Sequence, residues 1–214
     1  MTENYPSELE LSAAYLKKLK PCAGIGDEQL RKMAEEAIGI GAKNAVPFAG
    51  GDLRSLLPEY GVKVETIEGG VYGNRLLRAQ YDDSVHVIYL YSVGVKTVLD
   101  SGAPEILGIP ADEVSVQRVL LWHEFFHVLE FKKIGLVGRN YRLPAKMLGF
   151  PVHKPLYAIS EICANAFAMR VLSLRFSPFL IDYLETHAVP GESPDLNQAD
   201  KTNQNMEDDN NERT

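Results

Sequence analysis

The sequence predicts an α+β fold, a helical bundle carrying a small sheet of about three strands. Three observations lead there. Apolar residues recur at helical spacing near both ends of the chain, the period switches to two between residues 62 and 91, and a long apolar run past residue 112 reads as a deeply buried helix. The 214 residues are 45% hydrophobic and 24% charged, enough apolar material to build one core without staples.

The first helix spans residues 7–20. Ser7 and Glu10 form a capping box, Leu9, Ala13, Leu16 and Leu19 share a face, and Pro21 stops it. A second helix opens after Asp27 with the stripe Leu30, Met33, Ala34, Ala37 and Ile38, and Gly39 and Gly41 are expected to end it. The glycine- and alanine-rich stretch to Gly51 reads as a loop. A short helix, Asp52 to Tyr60, closes at Gly61. Val62, Val64 and Ile67 then suggest a strand, Glu68-Gly69-Gly70 a turn, Arg75 to Gln80 a second strand, and Val85 to Tyr91 the clearest strand of all.

Beyond Pro110, Asp112 is a good N-cap for a helix running from Val114 to Phe131 that is apolar on nearly every face. The prolines and glycines of residues 135–154 read as a loop. A further helix covers residues 155–176, and a short one follows Ser177-Pro178. From residue 189 the chain is almost devoid of apolar side chains and reads as a disordered polar tail, since it cannot bury enough surface to offset its ordering entropy.

Charge and composition exclude several classes of function. A net charge of −7 repels phosphate backbones, so no nucleic-acid partner is expected. Charges interrupt every apolar stretch before the ~20 residues a spanning helix needs, so no membrane partner is expected either. The N-terminus has neither the basic region nor the apolar run of a signal peptide. Cys22 and Cys163 are too few and too far apart for a disulfide framework, and read as buried small hydrophobes in a reducing compartment. The expected location is cytoplasmic.

The chemistry concentrates in His123-Glu124-Phe125-Phe126-His127. Residues four apart share a helical face at about 6 Å, so both imidazoles can converge on one zinc ion. Glu124 is rotated by roughly 100° and can reach a water on the metal without being a ligand. The surrounding Leu120, Leu121, Trp122, Phe125, Phe126, Val128 and Leu129 leave no polar face for an unpaired carboxylate, and a dication removes that cost.

A catalytic zinc takes three protein ligands. Glu161, in Glu161-Ile162-Cys163-Ala164-Asn165-Ala166-Phe167-Ala168, is the natural third, brought close by the small Ala164 and Ala168 on its face. Asn165, one turn on, can orient a ligand.

HEFFH followed by EICANAFA resembles the ImmA/IrrE-type zinc metallopeptidases, whose pattern is H-E-x-x-H and then E-x-x-A-N-x-F-A. Asp52 to Val64 resembles that family's helix-then-strand opening, and the likeness covers residues 28–180. The resemblance implies a compact gluzincin-like domain, here residues 27–188 behind an N-terminal helical extension of residues 1–26. It implies one zinc per chain on His123, His127 and Glu161, with Glu124 as general base. It also implies a protein or peptide substrate, as members cleave repressors or serve stress and mobile-element responses. Two features depart from the family. Bulky Phe126 stands where a glycine is usual before the second histidine, and residues 93–112 look inserted, as a lid or a binding surface.

Zinc chemistry then predicts peptide hydrolysis, with Glu124 accepting the proton of the attacking water and delivering it to the leaving amine. An oxyanion stabiliser is also needed. Tyr157 shares a face with Glu161 and His153 lies just before it, and either could serve, although a packed tyrosine and a surface histidine are the simpler readings of the two. Phe125 and Phe126 are expected to crowd the site and restrict it to few intracellular proteins. The rival expectation, prompted by Phe126, is a zinc-stabilised regulatory or interaction protein without turnover.

Overall fold

The computed structural model describes residues 5–73, 75–147 and 150–187; the polar tail read at 189–214 lies outside the described residues. Helix α1 (Glu8–Lys18) begins on the expected capping box, with the Ser7 side chain and the Glu10 carboxylate each accepting the other's backbone N–H. It packs on the long α2 (Asp27–Ala45) and buries Leu11 and Leu16, so the N-terminal segment contributes to the common core.

Helix α2 does not stop at its glycines. It runs through Gly39 and Gly41 to Ala45 and passes into a 3-10 turn, Val46–Phe48. The reason is tertiary. A Cβ on Gly41 would stand 2.2 Å from the Cys163 carbonyl oxygen and 2.9 Å from the Ala166 Cβ, so this glycine permits a close helix crossing and ends nothing. Gly41→Ala is therefore expected to destabilise the protein by about 1–3 kcal/mol, although alanine is the better helix former, because the clash involves backbone. Urea unfolding measures this, and a variant as stable as the parent would show that the crossing has slack.

Helix α3 (Leu53–Leu56) is capped by Asp52 and tightens into a 3-10 turn, Leu57–Tyr60, ended by Gly61 in the left-handed region. The sheet follows: β1 (Lys63–Ile67), the short pair β2 (Val71–Tyr72) and β3 (Arg75–Leu76), then β4 (Ala79–Asp82) and β5 (Val87–Tyr91). Strand β5 lies in the middle of three, parallel to β1 and antiparallel to β4. The single strand expected at residues 75–80 is two, because the backbone changes partners: Leu77 N–H donates to the Gly70 carbonyl, whereas the Arg78 carbonyl accepts from Tyr91 N–H. Strand β5 starts two residues later than expected, since His86 takes a left-handed φ of 57° in the preceding turn.

Residues 93–112 are not a lid. They fold as most of α4 (Ser92–Asp100) and all of α5 (Ala103–Leu107), and they bury Val95, Val98, Ala103 and Leu107 in the common core. Helix α6 (Glu113–Leu129) begins where Asp112 accepts the Ser115 N–H at 2.8 Å and ends in a π-helical turn, Glu130–Ile134. The expected loop at 135–154 contains an antiparallel pair, β6 (Arg142–Met147) and β7 (Phe150–Pro155). Two helices complete the fold, α7 (Ala158–Leu172) and α8 (Phe179–His187).

Helix α7 packs against both α2 and α6, and α6 in turn packs against β4 and β5. The core is heavily aromatic: Phe48, Trp122, Phe125 and Phe167 meet one another at centroid distances of 5.4–6.5 Å. Phe126 joins them through Phe167 at 5.6 Å. Both Phe125 and Phe126 are fully buried in this cluster, so they do not crowd the polar face of α6 as their positions in sequence suggested. Cys22 and Cys163 are both buried free thiols, as expected. No described helix is long and apolar enough to cross a membrane.

Candidate metal centre

One face of α6 carries Leu120, His123, Glu124 and His127, and it looks toward α7 on one side and the edge strand β4 on the other. The helical repeat sets His123 and His127 one above the other, ring centroids 5.2 Å apart. Glu161, in the first turn of α7, meets both. Its Oε2 lies 3.2 Å from His123 Nε2 and its Oε1 lies 3.5 Å from His127 Nε2. The three ligand atoms of His123, His127 and Glu161 all fall within 4.8 Å of one another, a group able to hold a metal ion.

The outer nitrogens decide which atoms point inward. His123 Nδ1 is 3.3 Å from Asn165 Oδ1, and Asn165 is itself held by its amide donating to the Glu161 carbonyl at 2.9 Å. His127 Nδ1 is 2.9 Å from Glu130 Oε2. Both rings therefore present Nε2 to Glu161. Two imidazole nitrogens and one carboxylate suit zinc among several divalent metals, so the donor set fits the expected ion without identifying it.

Electrostatics reflect the crowding of charge. Burial disfavours the His127 imidazolium, but the Glu130 hydrogen bond and the Glu161 and Glu124 carboxylates outweigh it and raise its pKa from 6.5 to about 9. Burial likewise opposes ionisation of Glu161, yet the His123 hydrogen bond and the two histidine charges hold its carboxyl down at about 2. Without a metal, the site is an ion-paired cluster.

Glu124 is 7% exposed and makes no approach to the histidines of the kind Glu161 makes. Its Oε2 accepts the backbone N–H of Tyr81, on β4, at 2.8 Å. Two openings meet at Glu124 and Glu161. One, of about 220 Å³, is lined by His123, Asn165, Arg78 and Asp182. The other, of about 270 Å³, is lined by Tyr81, His127 and Phe131. In the first, Arg78 bridges Asp182 at 2.8 Å and Glu185 at 2.6 Å, tying the strand side of the cleft to α8.

Of the residues singled out from sequence, the fold brings His123, Glu124, His127, Glu161 and Asn165 together. Tyr157 and His153 line neither opening. Tyr157 is the N-cap of α7 and 51% exposed, and His153 is exposed on β7. Sequence reasoning missed Glu130, although its i+3 spacing from His127 was a usable signal. It also missed Tyr81, which contributes a backbone amide and so leaves no side-chain signature, and Arg78, whose partners lie more than 100 residues away. No family model, curated protein or solved structure matches this chain.

Proposed function

We propose that the chain is a zinc-dependent peptidase of the ImmA/IrrE type, hydrolysing peptide bonds in intracellular proteins, a repressor being one candidate. The observation that carries this reading is the convergence of His123 Nε2, His127 Nε2 and a Glu161 oxygen within 4.8 Å, with Glu124 at the junction of two openings beside them. A zinc ion on those three ligands supplies Lewis-acid activation of a water and of the peptide carbonyl.

The chain's own residues supply the rest. Glu124, held by the Tyr81 amide through one oxygen, keeps the other to take a proton from the attacking water and pass it to the leaving amine. Asn165 and Glu130 fix the two rings. The openings on either side of Glu124 give a polypeptide room to cross the site. Phe126, which prompted the rival reading of a zinc-stabilised interaction protein without turnover, is buried in the core and narrows neither opening.

Protein purified after zinc-supplemented expression is expected to carry about one zinc per chain by plasma mass spectrometry. It is also expected to cleave at least one protein in a panel that includes casein and the products of neighbouring genes. Metal content near zero would remove the reading altogether. Full zinc occupancy with every substrate intact would favour the non-catalytic rival.

A further inference from the structure

We propose that Glu130 is a positioning residue, which locks His127 in the one tautomer whose Nε2 can bind a metal; the inference rests on the metal-site reading above. Glu130 opens the π-helical turn at the end of α6, three residues after His127, and is 2% exposed. A carboxylate buried so deeply needs partners for both oxygens. Oε1 accepts two hydrogen bonds, from Ser160 Oγ on α7 at 2.7 Å and from the Val137 backbone N–H at 2.9 Å. Oε2 faces His127 Nδ1 at 2.9 Å.

The assignment of roles to the two oxygens is what gives this network its consequence. An ionised carboxylate only accepts, so the nitrogen facing Oε2 must carry the hydrogen. That leaves Nε2, which points to Glu161, with its lone pair free. The network also fixes the ring in space. Ser160 sits on α7, one residue before the ligand Glu161, so one carboxylate ties together the two helices that supply the metal ligands. Val137, in the turn beyond α6, anchors it from a third side.

Glutamine at this position reverses the polarity of one contact while keeping size and shape. Two donors, Ser160 Oγ–H and Val137 N–H, demand the amide oxygen, so the amide NH₂ has to face His127 Nδ1. Nδ1 must then accept, the hydrogen moves to Nε2, and the metal-binding lone pair is lost from the inward face. A residue that merely filled space would not show this sensitivity.

The test is Glu130→Gln in the full chain. Zinc affinity, measured by competition with a chelator, is expected to fall by roughly 10–100-fold. Far-UV circular dichroism of the chelator-treated variant should match the parent, so that the weakened zinc binding is not a loss of fold. In addition, ¹⁵N shifts of the His127 ring in metal-free protein, followed to the high-pH limit of its titration, should report Nδ1–H in the parent and Nε2–H in the variant. An affinity within about twofold of the parent overturns the proposal. If the glutamine variant fails to fold, Ser160→Ala takes its place. Freeing one of the two bonds that orient the carboxylate should weaken zinc several-fold, and unchanged affinity there overturns the proposal equally. A parent protein that binds no zinc at all would instead sink the metal-site reading, so the two failures are distinguishable.

Discussion

Replacing Glu124 by Gln is expected to leave a folded protein that still binds zinc but hydrolyses its substrate ~100–10,000-fold more slowly. Glu124 is not among the converging ligand atoms, so its loss does not reduce the donor set of His123, His127 and Glu161. Among the described residues its hydrogen bond at the site is the one it accepts from Tyr81 N–H, which a glutamine carbonyl accepts equally well. The burial of the side chain favours the neutral amide, so the fold should not suffer. What the amide cannot do is take up a proton at neutral pH. Zinc content, melting temperature and substrate digestion, compared between parent and variant, separate these effects. Loss of zinc in Glu124→Gln would show that the glutamate is part of the metal shell. Undiminished cleavage would show that another group is the base.

The second large effect is expected from His127→Ala, which should abolish stoichiometric zinc binding, because two protein ligands remain where three are needed. The same residue governs the pH dependence of the metal-free protein. Its pKa is about 9 in the fold against 6.5 as a free side chain, so the folded state holds the proton more tightly. Stability from this source is fully present below about pH 6.5 and is lost as pH rises through about 9, a change on the order of 3 kcal/mol. Urea unfolding of chelator-treated protein at about pH 6 and at about pH 9.5 should show that loss in the parent and a much flatter profile in the alanine variant. A parent whose stability is level across the window would mean that Glu130 and Glu161 do not hold His127 charged.

Much of the site was legible in the chain because its ligands depend on local geometry. His123, Glu124 and His127 share one helix, whose period alone places the two imidazoles together and the carboxylate beside them. Glu161 and Asn165 are related in the same way on α7. The Ser7–Glu10 box, the Asp112 cap and the Gly61 stop are likewise interactions across a few residues. Where the reading went astray, a local rule met a distant neighbour. Gly39 and Gly41 resemble a helix end until α7 is placed against Gly41. Phe125 and Phe126 adjoin the ligands in sequence, yet a helix turns about 100° per residue and carries them into the aromatic core.

The amino-acid order by itself therefore determined the α+β class, the starts of α1, α2, α3, α6 and α8, the central strand, and the two local sets of polar residues, His123, Glu124 and His127 on α6 and Glu161 and Asn165 on α7. Each of these follows from periodicity, from a cap or from spacing on one helix, interactions that close within about four residues. Only the tertiary structure decided that residues 93–112 belong to the core, that the proline-bearing stretch before α7 contains a strand pair, and that Tyr81 holds Glu124. It alone joined Arg78 to α8, and Glu130 to Ser160 and Val137. These contacts pair groups that lie far apart in sequence or answer to a backbone amide, and neither kind of partner leaves a periodic trace in the chain.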